Sequence, residues 1–457
     1  MRPALRIGLL LLAAGVLTPG RAQAQQTTVS ATSQPPPSPQ QLVTCSSVSG
    51  ERKVCTADTA AGVALLRSTG RASCLLGKTW GYDDKGIWVF DGCGGEFAVG
   101  STHEASGGND FLGTFEPYGQ FRTHLASFDD TTEVQDNATR VGINFRTRGA
   151  IQMFVGTEWG VNLVQSSSQF NLDAAGPGEF GQVSSVTSTP FIARLGFIGI
   201  DFGPAGRVGV GKQWSTHYDV ASYTTDRFNV FGGQGTQTYV AGTDGGATGT
   251  GRADRVVNYR NKIAKILDVG LQAQFRGAEK NGVGGSAQVT ILPGVKVGAA
   301  FTHTNFAQAT RDGIQGLDEN ADYAAVGTRI DWKYLEVGFV FTHQSSGDMV
   351  QVPFGATTRN VAFNANGSEL FVRAKAGPLA VIGGYTQQSP TDTDPLLDPE
   401  FNTSYVILGG EWFVGSKAKV YTESKLDLDT VSATGAPAGS VFTIGFRYDF
   451  SWKISHK

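Results

Sequence analysis

The stretch TRVGINFRT, residues 139–147, decides the fold. In an extended chain Val141, Ile143 and Phe145 fall on one face and Arg140, Gly142, Asn144 and Arg146 on the other, which is a period of two. Residues 150–163 continue it, with Met153, Val155, Trp159, Val161 and Leu163 on one face and Gln152, Glu158 and Asn162 opposite. Strands of this texture recur. One spans residues 118–125, and others start near Phe191, Gly206, Arg255, Ile266, Gly282, Val295, Tyr323, Tyr334, Glu369, Leu379, Ser404, Ala418 and Val441, about sixteen in all.

The connections alternate in length. Arg148-Gly149, Gly203-Pro204-Ala205, Leu292-Pro293-Gly294, Trp332-Lys333, Ala376-Gly377-Pro378 and Val414-Gly415 read as tight turns. Between them lie long polar segments at 166–189, 215–251, 307–321, 345–365, 388–402 and 426–438. An even number of alternating strands with short turns at one end and long loops at the other is the pattern of a closed transmembrane β-barrel, which satisfies its backbone internally without any long apolar run.

The first residues place the chain outside the cytoplasm. Arg2 and Arg6, an apolar run from Ile7 to Leu17, Pro19-Gly20 and Ala22-Gln23-Ala24 read as an export signal cleaved before Gln25. The expected organisation is a signal peptide at 1–24, a Pro/Gln/Ser-rich tether at 25–41, a small disulfide domain at 42–99, a Gly-rich linker at 100–110 and a barrel from 111 to 457. With 61 Gly, 40% hydrophobic residues and a net charge of -3 in 457 residues, the composition suits short strands and tight turns and is not basic enough to suggest nucleic acid.

Cys45, Cys55, Cys74 and Cys93 all lie in the small N-terminal domain, and in an exported chain an even set reads as two disulfides. Three pairings are open; Cys45 with Cys55 and Cys74 with Cys93 is favoured because each closes a local loop. Zinc fits poorly, since no C-x-x-C occurs, and no metal or cofactor is expected. Residues 45–97, with TWGYDDKGIWVFDGC at 79–93, resemble a small cysteine-containing domain of unknown function found in exported bacterial proteins. Its aromatics, Trp80 and Trp88 among them, either build its core or offer a stacking surface for a glycan such as peptidoglycan.

Residues 206–214, GRVGVGKQW, match the first seven positions of a phosphate-binding loop, but Gln213 stands where a Ser or Thr should hold Mg²⁺. They read instead as a tight turn and a strand, with Val208 and Val210 on one face and glycines thinning the other. Neither G-x-S-x-G nor H-E-x-x-H occurs, and the six His are scattered.

Several ordered patterns carry a resemblance to a known family: Tyr118-Gly119, Arg140-Val141-Gly142, Arg194-Leu195-Gly196-Phe197, Gly211-Lys212-Gln213, Tyr218-Asp219, Phe231-Gly232-Gly233, Gly251-Arg252 and Asn258-Tyr259-Arg260-Asn261. Over residues 111–450 the chain resembles the general, non-specific trimeric porins of Gram-negative outer membranes. The resemblance implies an all-β fold, a sixteen-stranded antiparallel barrel with a loop folded inward after the fifth strand. It implies a homotrimer that admits small hydrophilic solutes and ions and contacts outer-membrane lipid and lipopolysaccharide; the N-terminal domain, because it precedes the first strand, is expected in the periplasm.

It further places Arg140, Lys212 and Arg252 in a basic cluster on the wall, residues 218–250 in the constricting loop, and Asp226 on that loop facing the cations. Gln120, Arg122, Arg194, Asp219 and Arg260 become further pore-lining positions. Gln120 and Val230 depart from residues common in the family, a base and an acid respectively. The family usually ends on an aromatic residue, whereas Ser451 to Lys457 follow Phe450 here; either the last strand runs on or Trp452 shares in the assembly signal. The local basic cluster should outweigh acidic outer loops, giving a pore close to neutral or slightly anion-favouring. The other readings are a barrel that tethers the outer membrane to peptidoglycan and a barrel enzyme.

Overall fold

The computed structural model describes residues 41–59, 62–99, 113–128, 130–164, 168–170, 183–185, 189–238, 243–244, 246, 248–279, 281–355, 357–392, 394–435 and 438–455. The expected export signal, nearly all of the tether and the linker at 100–110 lie outside them. The chain divides into two compact units, Met1–Asn109 and Asp110–Lys457.

In the second unit nineteen strand segments form one closed barrel; setting aside the short pieces Thr131–Asp136, Ile314–Gln315 and Ile454–Ser455 leaves sixteen wall strands. These are β1 (Gly113–Phe128), β2 (Arg140–Thr147), β3 (Gln152–Val161), β4 (Phe191–Asp201), β5 (Arg207–Trp214), β6 (Arg252–Ile263), β7 (Leu267–Gln274) and β8 (Gly282–Leu292). They continue with β9 (Val295–Asn305), β10 (Asn320–Asp331), β11 (Leu335–Phe354), β12 (Thr357–Ala376), β13 (Leu379–Asp392), β14 (Thr403–Val414), β15 (Ala418–Asp427) and β16 (Val441–Ser451). Neighbours pair antiparallel, and β16 closes on β1 through Phe442↔Ser127 to Ser451↔Tyr118.

The alternation that marks these strands also turns the protein inside out. Ile198, Val210, Leu271, Phe301, Val326 and Leu408 point outward and are exposed, whereas Asn258, Gln272, Glu369, Thr386 and Glu423 are buried within the barrel. An apolar outer band over a polar interior suits a chain whose outer solvent is lipid. Trp332, Tyr334, Trp412 and Trp452 lie exposed near the short-turn end, where an interfacial aromatic girdle belongs. Gly149, Gly203, Gly294, Gly377 and Gly415 have φ between 59° and 112° in those turns, conformations that glycine adopts without strain.

Two features depart from the sequence reading. Residues 345–365 are mostly a continued hairpin, since β11 and β12 each run 20 residues with a register shift between Gln344 and Asp348. Its inner face keeps the period of two, and Val350, Val352, Val361, Phe363 and Ala365 pack on Leu397, Phe401 and Ala433 of two later loops. At the C-terminus the last strand does run past Phe450 to Ser451, and Ile454–Ser455 then pairs with Phe115 and Thr114. Trp452 donates its N–H to the Pro117 carbonyl at 3.0 Å.

The first unit holds two three-stranded sheets, Gln41–Ser46 with Gly94–Val99 and Val63–Ser68, and Arg52–Cys55 with Gly86–Phe90 and Trp80–Asp83. The disulfides are Cys45–Cys55 and Cys74–Cys93, as favoured from the loop lengths. Trp80 is only 5% exposed and packs 4.9 Å from Phe97 in a core with Ile87 and Val89, so the stacking-surface expectation does not hold for it. Trp88 alternates to the other face, where Arg52 lies 4.6 Å above its ring.

Candidate constriction site

Between β5 and β6 the chain leaves the wall and turns inward. It opens with a short helix, α1 (Tyr218–Ala221), and returns to the wall at Arg252. The start is anchored by ion pairing. Arg260 on β6 bonds the carboxylate of Asp219 and donates to the carbonyls of Trp214 at 2.8 Å and Ser215 at 3.0 Å, and Ser286 donates to Asp219 at 2.7 Å. Asp219 and Arg260, expected to line the pore, thus clamp the loop root. Burial raises the Asp219 pKa above the ordinary carboxylate value, and Arg260 opposes that rise.

The loop then lies against the inner wall of β9–β14. Val220 and Tyr223 pack on Ala300, Ala325 and Val340, while Phe228 and Phe231 pack on Phe371, Ile382, Tyr405 and Ile407. A Cβ at Gly338 would strike the Tyr223 carbonyl oxygen and one at Gly367 the Gly235 carbonyl oxygen, so glycine permits this close approach. Two buried wall carboxylates hold the tip. Glu423 accepts the N–H groups of Asn229, Val230 and Phe231 at 2.7, 2.8 and 2.8 Å, and Glu369 accepts those of Gly233 at 2.8 Å and the Thr236 hydroxyl at 3.0 Å. Arg122, expected as a pore-lining cation, is buried and donates to the Asn229 carbonyl.

Opposite this packed half, charged side chains meet the water-filled bore. Asp226 accepts the Tyr218 hydroxyl at 2.7 Å. Its depth in the barrel works against ionisation, but Arg140, that hydroxyl, Arg122 and Arg194 together hold its pKa below the ordinary value. Lys212 and Arg252 meet a carboxylate that the sequence reading did not single out: Asp244, on the returning limb, lies 2.8 Å from Lys212 Nζ and 3.4 Å from Arg252 Nε. Arg194 is paired with a second unexpected acid, Glu158, at 2.7 Å. Gln120 sits half-buried on β1, with its Oε1 in contact with no donor. The strand parity put Glu158 on the inner face, but nothing in the pattern of loop residues 243–250 marked Asp244. Among the described residues no group of three His, Cys, Asp or Glu side chains could hold a metal ion.

Comparison with known proteins agrees with this fold. A family model described as Gram-negative porin matches residues 97–451, and one described as a protein of unknown function, DUF3011, matches residues 19–129. Outer membrane protein F of Serratia marcescens is 25% identical over 293 residues, covering 56% of this chain and 74% of the relative. Outer membrane porin N of Escherichia coli is 19% identical, covering 77% and 96%. Among solved structures, OmpF of Salmonella typhi in complex with daunomycin superposes with a TM-score of 0.59 at 19% identity, covering 75% of this chain and 99% of that one. The anion-selective porin from Comamonas acidovorans does so with a TM-score of 0.54 at 14% identity, covering 74% and 98%.

Proposed function

This chain belongs to the Gram-negative porin family, and we propose that, as an outer-membrane diffusion channel for small hydrophilic solutes and ions, it prefers anions slightly at a constriction formed by Arg140, Arg194, Lys212 and Arg252 against Glu158, Asp226 and Asp244. The observation that carries this reading is Asp244 held between Lys212 and Arg252. Four cations facing three carboxylates leave a small positive excess where low-dielectric walls crowd the path, which sets the sign of selectivity more than the chain's overall charge does. Reversal potentials in a salt gradient across a planar bilayer test it. A modest anion preference supports it, and a strong cation preference contradicts it.

Assembly as a homotrimer, contact with lipopolysaccharide and the absence of catalysis belong to the same proposal. Among the described residues, His217, His303 and His343 bond the Thr236 carbonyl, Asp322 and Asn366, none of them a serine hydroxyl. Mass measurement in mild detergent at three times the chain mass supports the trimer, and a monomer mass overturns it. For the N-terminal unit we propose a peptidoglycan contact through Trp88 alone, checked by loss of co-sedimentation with cell-wall sacculi in Trp88→Ala.

A further inference from the structure

Below the constriction, toward the short-turn end, the bore widens on one side into a cavity of about 540 Å³, lined among others by Glu116, Arg146, Arg207, Trp214, Arg260 and Lys453. Its size has a cause in the glycine-rich strand that resembles a phosphate loop. Gly199 and Gly209 face each other across β4 and β5; a Cβ at Gly199 would strike the ring of Phe154, and one at Gly209 would come 3.0 Å from Gln213 Oε1. The wall is thinned there, and Phe154 and Phe197 meet edge to face at 6.2 Å on the same side.

The charges of this cavity are not balanced. Arg146 is held by Asp201 at 2.7 Å and Arg260 by Asp219 and two carbonyls. Arg207 sits in register between Asp201 on β4 and Arg260 on β6, yet among the described residues its side chain makes no hydrogen bond or ion pair. Lys453, on the C-terminal extension beyond the ordinary end of the last strand, likewise makes none. Against these two unengaged cations stands one lining carboxylate without a cation partner, Glu116. The Arg207 side chain is exposed and hydrated, with Arg146 and Arg260 beside it and Asp201 and Asp219 acting only at longer range, so its planar fork of donors is open to an anion in the cavity. Trp214 adds an apolar side chain to the lining, its ring stacked on Tyr218 at 3.8 Å with Arg252 5.5 Å from its centroid.

We propose that this cavity is a subsite for a small organic anion carrying a ring, such as an aromatic monocarboxylate. The carboxylate docks on the fork of Arg207 with Lys453 nearby, and the ring lies against the half-exposed Phe197 and Trp214 of the lining. Inorganic anions satisfy only the first part and neutral aromatics only the second. The subsite lies within the diffusion path, so the inference rests on the channel reading, and the two are tested separately.

Calorimetric titration of sodium benzoate into the full chain in detergent needs no ion current. Benzoate should bind, with sodium phosphate and benzyl alcohol each about tenfold weaker, since each lacks one half of the recognition. Arg207→Gln should weaken benzoate about tenfold by removing a charge-assisted pair. Lys453→Ala should weaken it about threefold, as suits an exposed cation, and serves if the first variant fails to fold. No benzoate binding, equal binding of phosphate or of benzyl alcohol, or full affinity in both variants overturns the subsite. Absence of single-channel current from the unmodified protein would instead overturn the channel reading and leave the titration result standing.

Discussion

Asp244→Asn removes a carboxylate that touches two constriction cations, and its effect can be worked from the geometry. The Asp244 side chain is 53% exposed, and its contacts are 2.8 Å to Lys212 and 3.4 Å to Arg252. In that wet setting the pairs contribute at most about 1 kcal/mol each, so the barrel should stay folded. A passing ion responds more. One uncompensated charge roughly 6 Å from a monovalent ion in water is worth about 0.7 kcal/mol, and screening over roughly 8 Å at physiological salt halves that to about 0.3 kcal/mol. Anions then gain about 1.7-fold in local occupancy while cations lose as much, and the permeability ratio moves about threefold toward anions. The assay is the reversal potential of a reconstituted channel in a potassium chloride gradient, repeated at about 1 M salt, where a screening length of about 3 Å should nearly abolish the change. The double substitution of Lys212 and Arg252 by Ala should move the ratio the other way. An unchanged ratio in Asp244→Asn at low salt would show that Asp244 is not beside the path and would refute the reasoning.

Glu423→Gln should loosen the loop tip, because an amide cannot serve three backbone donors as a carboxylate does; a loss of about 1–3 kcal/mol should appear as noisier single-channel current and faster cleavage within residues 226–236, and quiet wild-type current would contradict the latch. Asp226, with its pKa held below 3.8, keeps its charge above the ordinary carboxylate range and loses it only as pH falls through that lowered value. Selectivity should therefore stay flat from about pH 8 to about pH 5 and lean further to anions only in stronger acid; a midpoint near neutrality would contradict the assignment. Replacing Cys74 and Cys93 by Ala opens a loop of 19 residues and should destabilise the N-terminal unit by about 2–4 kcal/mol, while the barrel, a separate compact unit, keeps its melting transition in calorimetry.

All sixteen wall strands were legible because each must alternate between lipid and water, and that demand writes a period of two into every one of them. The hairpin over residues 345–365 was missed for a related reason. It rises beyond the apolar band, so its outer face is polar like a loop, and only the inner row from Val350 to Ala365 keeps the alternation. The site was legible in part. Arg140 comes with a face assigned by parity, whereas Lys212 shares the parity of the outward Val208 and Val210 and is turned inward by the irregularity at Gly211, so it and Arg252 were placed by resemblance, and the loop carries no period that says where a side chain points. Asp226 was placed by resemblance, and Asp244 had no signal at all. Arg122 lies on the inner face of its strand and has a different task, because parity tells which side a residue occupies and not whether a loop will cover it, and Asp219, on the loop helix, had no parity to read. The alternation in Trp80-Gly81-Tyr82 could have separated the buried Trp80 from Trp88 had the sheet register been known.

The most direct test of the channel and its constriction is a planar-bilayer recording of the purified full chain in a salt gradient. The channel should show discrete, steady openings with a reversal potential slightly on the anion side. A protein that inserts without opening, or that opens with strong cation selectivity, would contradict it.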